Sequence, residues 1–133
     1  MLEGREGGLG GVVVAEDAEA RGPGRRGELA ERVEAEIRSG DLTGGPSFMA
    51  ALAYLSIMPS ARAAEALDAR AAAVTGEAQR LQETLDATDA PEVHMIEVHY
   101  LLARLRHDRK WLTATAARIR TGDLTWPGSA PAG

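Results

Sequence analysis

Residues 60–120 read SARAAEALDARAAAVTGEAQRLQETLDATDAPEVHMIEVHYLLARLRHDRKWLTATAARIR, and this stretch decides the fold. In its first half Ala64, Leu67, Ala71, Val74, Ala78, Leu81 and Leu85 recur at alternating steps of three and four. That is the a/d stripe of a coiled-coil seam, kept up for about three heptads. Thr88-Asp89-Ala90-Pro91 interrupts the pattern with turn-forming residues. Met95, Val98, Leu102, Leu105, Leu112, Ala116 and Ile119 then resume the rhythm, broken once by Arg109. The pattern predicts two long helices folded back on each other as an antiparallel, coiled-coil-like hairpin. A second apolar set on the later helix, Ile96, Tyr100, Ala103 and Trp111, faces elsewhere. One stripe is buried inside the hairpin, and the other needs a second partner. The expectation is therefore a dimer, with Leu67, Val74, Leu81, Tyr100, Leu105, Trp111 and Leu112 at its interface.

Two shorter helices precede the hairpin. Phe48, Met49, Leu52, Leu55 and Met58, with Tyr54 and Ile57, make residues 46–58 the most hydrophobic segment, expected to dock on the hairpin. Pro46 suits the first helical position, where its missing N–H costs nothing. Pro59 ends the segment, and Ser60 is the expected N-cap of the long helix. Within 28–39, Leu29, Val33 and Ile37 repeat every four residues beside Ala30, giving one narrow apolar face. Gly40 stands where a left-handed C-cap is wanted. Ile37-Arg38-Ser39-Gly40-Asp41-Leu42-Thr43 is echoed by Ile119-Arg120-Thr121-Gly122-Asp123-Leu124-Thr125. We read the echo as two helices ending with the same chemistry: an apolar anchor, a cation at the negative end of the dipole, then a glycine cap.

The first 27 residues hold eight of the fifteen glycines, and in them only Val12-Val13-Val14-Ala15 is strand-like. Each glycine in a helix costs about 1 kcal/mol relative to alanine, so residues 1–27 are expected to be disordered. Residues 128–133 are expected to be a flexible tail, leaving 28–127 as one all-α domain.

Composition narrows the function. The aromatic share is 4% within a hydrophobic share of 44%, so the core is thin and alanine-rich, which favours oligomerisation. A net charge of −5 argues against nonspecific nucleic-acid binding by the chain. The absence of cysteine excludes disulfides and thiolate metal sites. The longest nearly apolar run, residues 48–58, is too short to span a bilayer, and no signal-peptide core is present, so a soluble cytoplasmic protein is expected. His94 and His99 are five apart, which separates them by about 140° around a helix. Neither Glu-x-x-His nor His-x-x-x-His occurs. We find no catalytic constellation, no metal site and no cofactor motif, and expect no enzyme. Tyr100, Trp111 and Trp126 are the aromatic residues from which a ligand pocket would be built, set against the simpler reading of bulky residues in an alanine-rich interface.

The run from Pro46-Ser47-Phe48 to Met58-Pro59, followed by Ala64, Leu67 and Arg70, resembles the C-terminal region of PadR-family transcriptional regulators. In that family a short apolar helix, a proline and a long helix with a Leu-x-x-Arg signature follow in that order. His99-Tyr100 through Trp111-Leu112 to Gly122-Asp123-Leu124-Thr125-Trp126-Pro127 is similar to the family's final helix and its closing sequence. The resemblance covers about residues 28–127, and its order and spacing carry it rather than any single motif. Upstream, Leu2-Glu3 and Gly11-Val12-Val13-Val14 resemble the end of a recognition helix and a first wing strand. Arg21-Gly22-Pro23-Gly24-Arg25-Arg26 resembles a wing tip, so Arg21, Arg25 and Arg26 are the implied DNA-backbone contacts. The resemblance leaves the returning wing strand, expected between Arg26 and Glu28, and the helix-turn-helix expected before it without a counterpart in residues 1–27.

The resemblance implies a transcriptional regulator represented by its dimerisation and small-molecule-sensing region. Its partners would be a second copy or a full-length relative, and a small aromatic effector. DNA would be bound only if a winged helix is supplied. The alternative is a free-standing helical interaction protein that pairs with itself or with such a regulator.

Overall fold

The computed structural model describes residues 23–128, and these form an all-α fold with no strand among them. The helices are α1 (Pro23–Ser39), α2 (Pro46–Ala53), α3 (Ser60–Ala87) and α4 (Ile96–Arg120). Short 3-10 turns at Leu55–Ile57 and Glu92–Met95 precede α3 and α4. As the heptads predict, α3 and α4 pack on each other along their length and form the hairpin. The seam positions Ala64, Leu67, Ala71 and Val74 of α3 are buried, as are Leu102, Leu105, Leu112, Ala116 and Ile119 of α4. Towards the hairpin tip the seam opens, and Ala78, Leu81 and Leu85 are only half-buried.

α1 lays Leu29, Ala30, Val33 and Ile37 against α3, the narrow face read from the sequence. It begins at Pro23, five residues earlier than expected. Proline's fixed φ suits a first turn, and the solvent-facing Gly24 and Gly27 cost less than the burial of the four apolar residues gains. The expected disorder therefore fails for residues 23–27. For residues 1–22, and for the expected tail at 129–133, it concerns positions outside those described.

Three local expectations are corrected. The 46–58 segment docks chiefly on α1, with its Leu55–Ile57 turn also meeting α3 of the hairpin. It reaches α3 as well through Phe48, whose ring lies under the Arg70 guanidinium, and through the buried Met58 at its end. Ser60 is the first residue of α3 and makes no cap; the chain enters from an extended Pro59. Gly40 does not adopt the left-handed conformation, which among the described glycines belongs to Gly44, Gly122 and Gly128.

Arg70 explains the last point. It is 2% exposed, on the face of α3 that meets the end of α1. Its Nη1 donates to the carbonyls of Glu36 at 3.3 Å and Ile37 at 3.2 Å, and its Nη2 to the carbonyl of Asp41 at 2.6 Å. The last carbonyls of a helix lack intrahelical donors; here a buried guanidinium supplies them to Ile37 and Asp41, and joins the Gly40 N–H, at 2.9 Å, on the Glu36 carbonyl. From the other arm, Arg104 Nη2 donates to the Thr43 carbonyl at 2.6 Å. The loop after α1 is thus held by one arginine from each helix of the hairpin.

Candidate functional site

The last helix has two finished faces of different kinds. At 100° per residue, Leu102, Leu105, Leu112, Ala116 and Ile119 fall on one side of α4, and all are buried. The opposite side carries Ile96, Tyr100, Ala103, His107, Trp111 and Ala114, all exposed. Ile96 is 56% exposed, Tyr100 66% and Trp111 46%. Large apolar groups this exposed, in one row on a rigid helix, are the usual mark of an interaction surface.

Of the residues assigned to a dimer interface, only Tyr100 and Trp111 lie on this face. Leu67, Val74, Leu105 and Leu112 are each no more than 1% exposed inside the single chain, and Leu81 packs half-buried against the same core. Heptad spacing identifies a seam without saying whose helix fills it, and here α3 and α4 fill each other's.

Tyr100, Trp111 and Trp126 do not converge on a pocket. Tyr100 and Trp111 are separated by about 16 Å along the helix axis. Trp126 lies elsewhere, its indole Nε1–H donating to the Met58 carbonyl at 2.9 Å and its ring packed on the core. A cleft of about 380 Å³ lies between the two arms at the hairpin tip, lined by Gln82, Leu85, Met95, His99, Leu102 and Arg106 among others. The residues predicted for a ligand are not among its walls. Sequence reasoning missed it because it arises where the seam loosens, beyond Val74, and only the weaker apolar character of Ala78 marked the place.

The expected phosphate contacts also change character. Arg21 lies outside the described residues. Arg25 and Arg26 are exposed in the first turns of α1 rather than on a wing turn. Among the histidines, His94 is exposed in the turn before α4, His99 is half-buried at the cleft, and His107 stands on the outer face of α4. Among the described residues no group of three or more His, Asp or Glu side chains is placed to hold a metal.

Charge is distributed unevenly along the hairpin. Residues 83–97 at the tip include Glu83, Asp86, Asp89, Glu92 and Glu97 and no lysine or arginine. Arg104, Arg106, Arg109 and Lys110 crowd the middle of α4. On α1, Glu34 bridges to Arg62 of α3 and to Arg38, and these guanidinium hydrogen bonds, Arg62 first, hold its carboxyl below the usual range. Burial lowers Arg70 from its ordinary value, opposed by Glu36, Asp108 and Asp41; a guanidinium keeps its charge under such a shift.

The chain matches no protein-family model, no curated protein and no solved structure. No helix among the described residues is long and apolar enough to cross a membrane.

Proposed function

We propose that this chain is the dimerisation region of a PadR-like transcriptional regulator acting in the cytoplasm. The observation that carries the reading is the outer face of α4, where Ile96, Tyr100 and Trp111 stand exposed opposite a filled core. A monomer has no use for that face, whereas a second copy or a full-length relative does. Two features of the resemblance support the family. Its separate stretches meet in the fold, through the Trp126–Met58 hydrogen bond. The arginine of the Leu-x-x-Arg signature is the buried Arg70 that fastens α1 to the hairpin. In a regulator α1 would connect this body to a DNA-reading head, so a rigid attachment there transmits pairing geometry. A small aromatic effector fits the volume of the cleft at the hairpin tip, but Gln82, Asp86, Thr88, Glu92, His99 and Arg106 make its wall more polar than such a ligand ordinarily takes, so the cleft supports an effector by size alone.

The second reading, a free-standing interaction protein, draws on Arg25 and Arg26 lying on a helix and not on a wing. Sedimentation equilibrium at tens of micromolar, about the range where a weak dimer shows, tests pairing; a monomer there sinks both readings. A gel shift on the promoter of the chain's own locus, at physiological salt, tests DNA binding by the chain alone. No sequence-dependent shift is expected, because readout needs an element in the major groove. A shift abolished by mutating the site would overturn the assignment to pairing alone.

A further inference from the structure

We propose that two copies pair along the outer faces of α4 in an antiparallel, two-fold arrangement centred near residue 105, with the acidic tip of each hairpin beside Arg118 of the other copy. This rests on the dimer reading above and adds its orientation and register.

The outer positions of α4 are Ile96, Tyr100, Ala103, His107, Lys110 and Ala114, with Trp111 adjoining. The intervals between those six are four, three, four, three and four, so the row reads the same in both directions. In a two-fold contact residue i meets j while j meets i, and an antiparallel pair of such rows superposes on itself. Centred near residue 105, Ile96 meets Ala114, Ala103 meets His107, and Tyr100 meets the stem of Lys110 next to Trp111. Each bulky group then faces a small or aliphatic one, the alternation that lets facing layers interdigitate.

Charge decides between orientations. A parallel pair sets Glu92 and Glu97 against their own copies at an already acidic tip, and like charges across an interface are costly. The antiparallel register brings Glu92 opposite Arg118. Arg118 uses its Nε on Asp123 at 2.6 Å, with both groups exposed. A guanidinium has five N–H donors, so a second carboxylate fits beside the first. Ile96, Tyr100 and Trp111 offer roughly 400 Å² per copy at their observed exposures, about half of the ~800 Å² each partner buries in a standard complex. Ala103, His107, Ala114 and the stems of Lys110 and Arg118 lie in the same strip and extend it.

The chain has no cysteine, so introduced thiols report without background. One preparation carries Ile96→Cys and a second carries Ala114→Cys, both at exposed positions. The two are mixed and treated with a bismaleimide of about 10 Å reach, the usual separation of packed helix axes. The expected product joins the unlike variants, because like positions lie about 27 Å apart in this register. A dominant product of Ile96→Cys with itself overturns the orientation. No product from a chain that sediments as a dimer overturns the register and leaves the dimer reading standing; a monomer removes both. As an independent arm, Glu92→Arg should raise the dissociation constant about threefold to tenfold, and Arg118→Glu in the same chain should restore it. Failure of the reversed pair to restore dimerisation overturns the placement of the tip.

Discussion

Residues 37–43 and 119–125 spell almost the same seven-residue helix ending, and the molecule closes the two in different ways. Ile37 and Ile119 are both buried anchors, Leu42 and Leu124 both pack half-buried against the core, and Arg38 and Arg120 both find acids, Glu34 at 2.8 Å and Asp68 at 2.5 Å. The difference lies in who satisfies the last carbonyls. At the end of α4 the backbone does so itself: Gly122 takes φ +79°, its N–H reaches Ile119, and the Leu124 N–H reaches back to the Arg118 carbonyl at 3.2 Å. At the end of α1 the backbone does only part of this, the Gly40 N–H reaching Glu36 at 2.9 Å; the Arg70 guanidinium arrives from α3 for Ile37 and Asp41, and the glycine makes no left-handed turn. Gly40 is needed for another reason: a Cβ there would sit 2.6 Å from the Glu36 carbonyl oxygen. The same local menu is available at both sites, and a long-range donor chooses between its options.

The strongest way to break this comparison is Arg70→Met. One buried and two part-buried carbonyls lose a charged donor, and the buried side chain loses its packing, so the chain should lose about 3–5 kcal/mol of unfolding free energy. Arg118→Met, at the self-closing end, should change stability by no more than about 0.5 kcal/mol. Paired urea titrations measure both; equal effects would mean that Arg70 does not act as the cap. Arg70→Lys should recover only part of the loss, since an ammonium cannot reproduce the planar fork.

The glycines come next. Gly40→Ala meets backbone and should cost about 1–3 kcal/mol. Gly122→Ala has open space around it and should cost about 1–2 kcal/mol, from the dihedral alone. Asparagine sharpens the distinction, because it tolerates the left-handed region. Gly122→Asn should regain most of the lost stability and Gly40→Asn none. Thermal midpoints of the four variants suffice, and rescue at residue 40 would contradict the steric account.

The smallest effect concerns acid. Asp41 Oδ1 accepts from the Thr43 N–H at 2.9 Å, and that bond holds its carboxyl below the ordinary value of 3.8. A carboxyl lowered by folding stabilises the folded chain fully above its unfolded value and loses that contribution as pH falls through the folded one. Asp41→Asn should therefore flatten slightly the decline of urea midpoints below about pH 4. Glu34, lowered through Arg62 and Arg38, contributes with the same sign, so the comparison is best made in an otherwise unchanged chain. An unchanged acid profile in Asp41→Asn would show that the Thr43 bond is not retained in solution.

Much of the fold was legible because helical periodicity is a local property. The alternating steps from Ala64 to Leu85 and from Met95 to Ile119 fix two amphipathic helices, Pro91 fixes the break between them, and Pro46 fixes a helix start. The second row on α4 was legible for the same reason, and it is exposed where the spacing put it. The interface assignment failed for Leu67, Val74, Leu105 and Leu112 because a heptad does not name its partner. The aromatic pocket failed because Trp126 follows a turn whose direction no periodicity encodes.

The sequence by itself determined the helices, their apolar faces and the hairpin, since each depends on residues three or four apart along one chain. Only the tertiary structure decided that Arg70, more than thirty residues from the carbonyls of Glu36 and Ile37, would end α1. It also decided that Trp126 would fasten to Met58, 68 residues away, and that the seam would open into a cleft near Gln82 and Arg106. Hydrogen bonds across such separations depend on where packing brings the donors, and a buried carbonyl accepts whichever donor arrives with the right geometry.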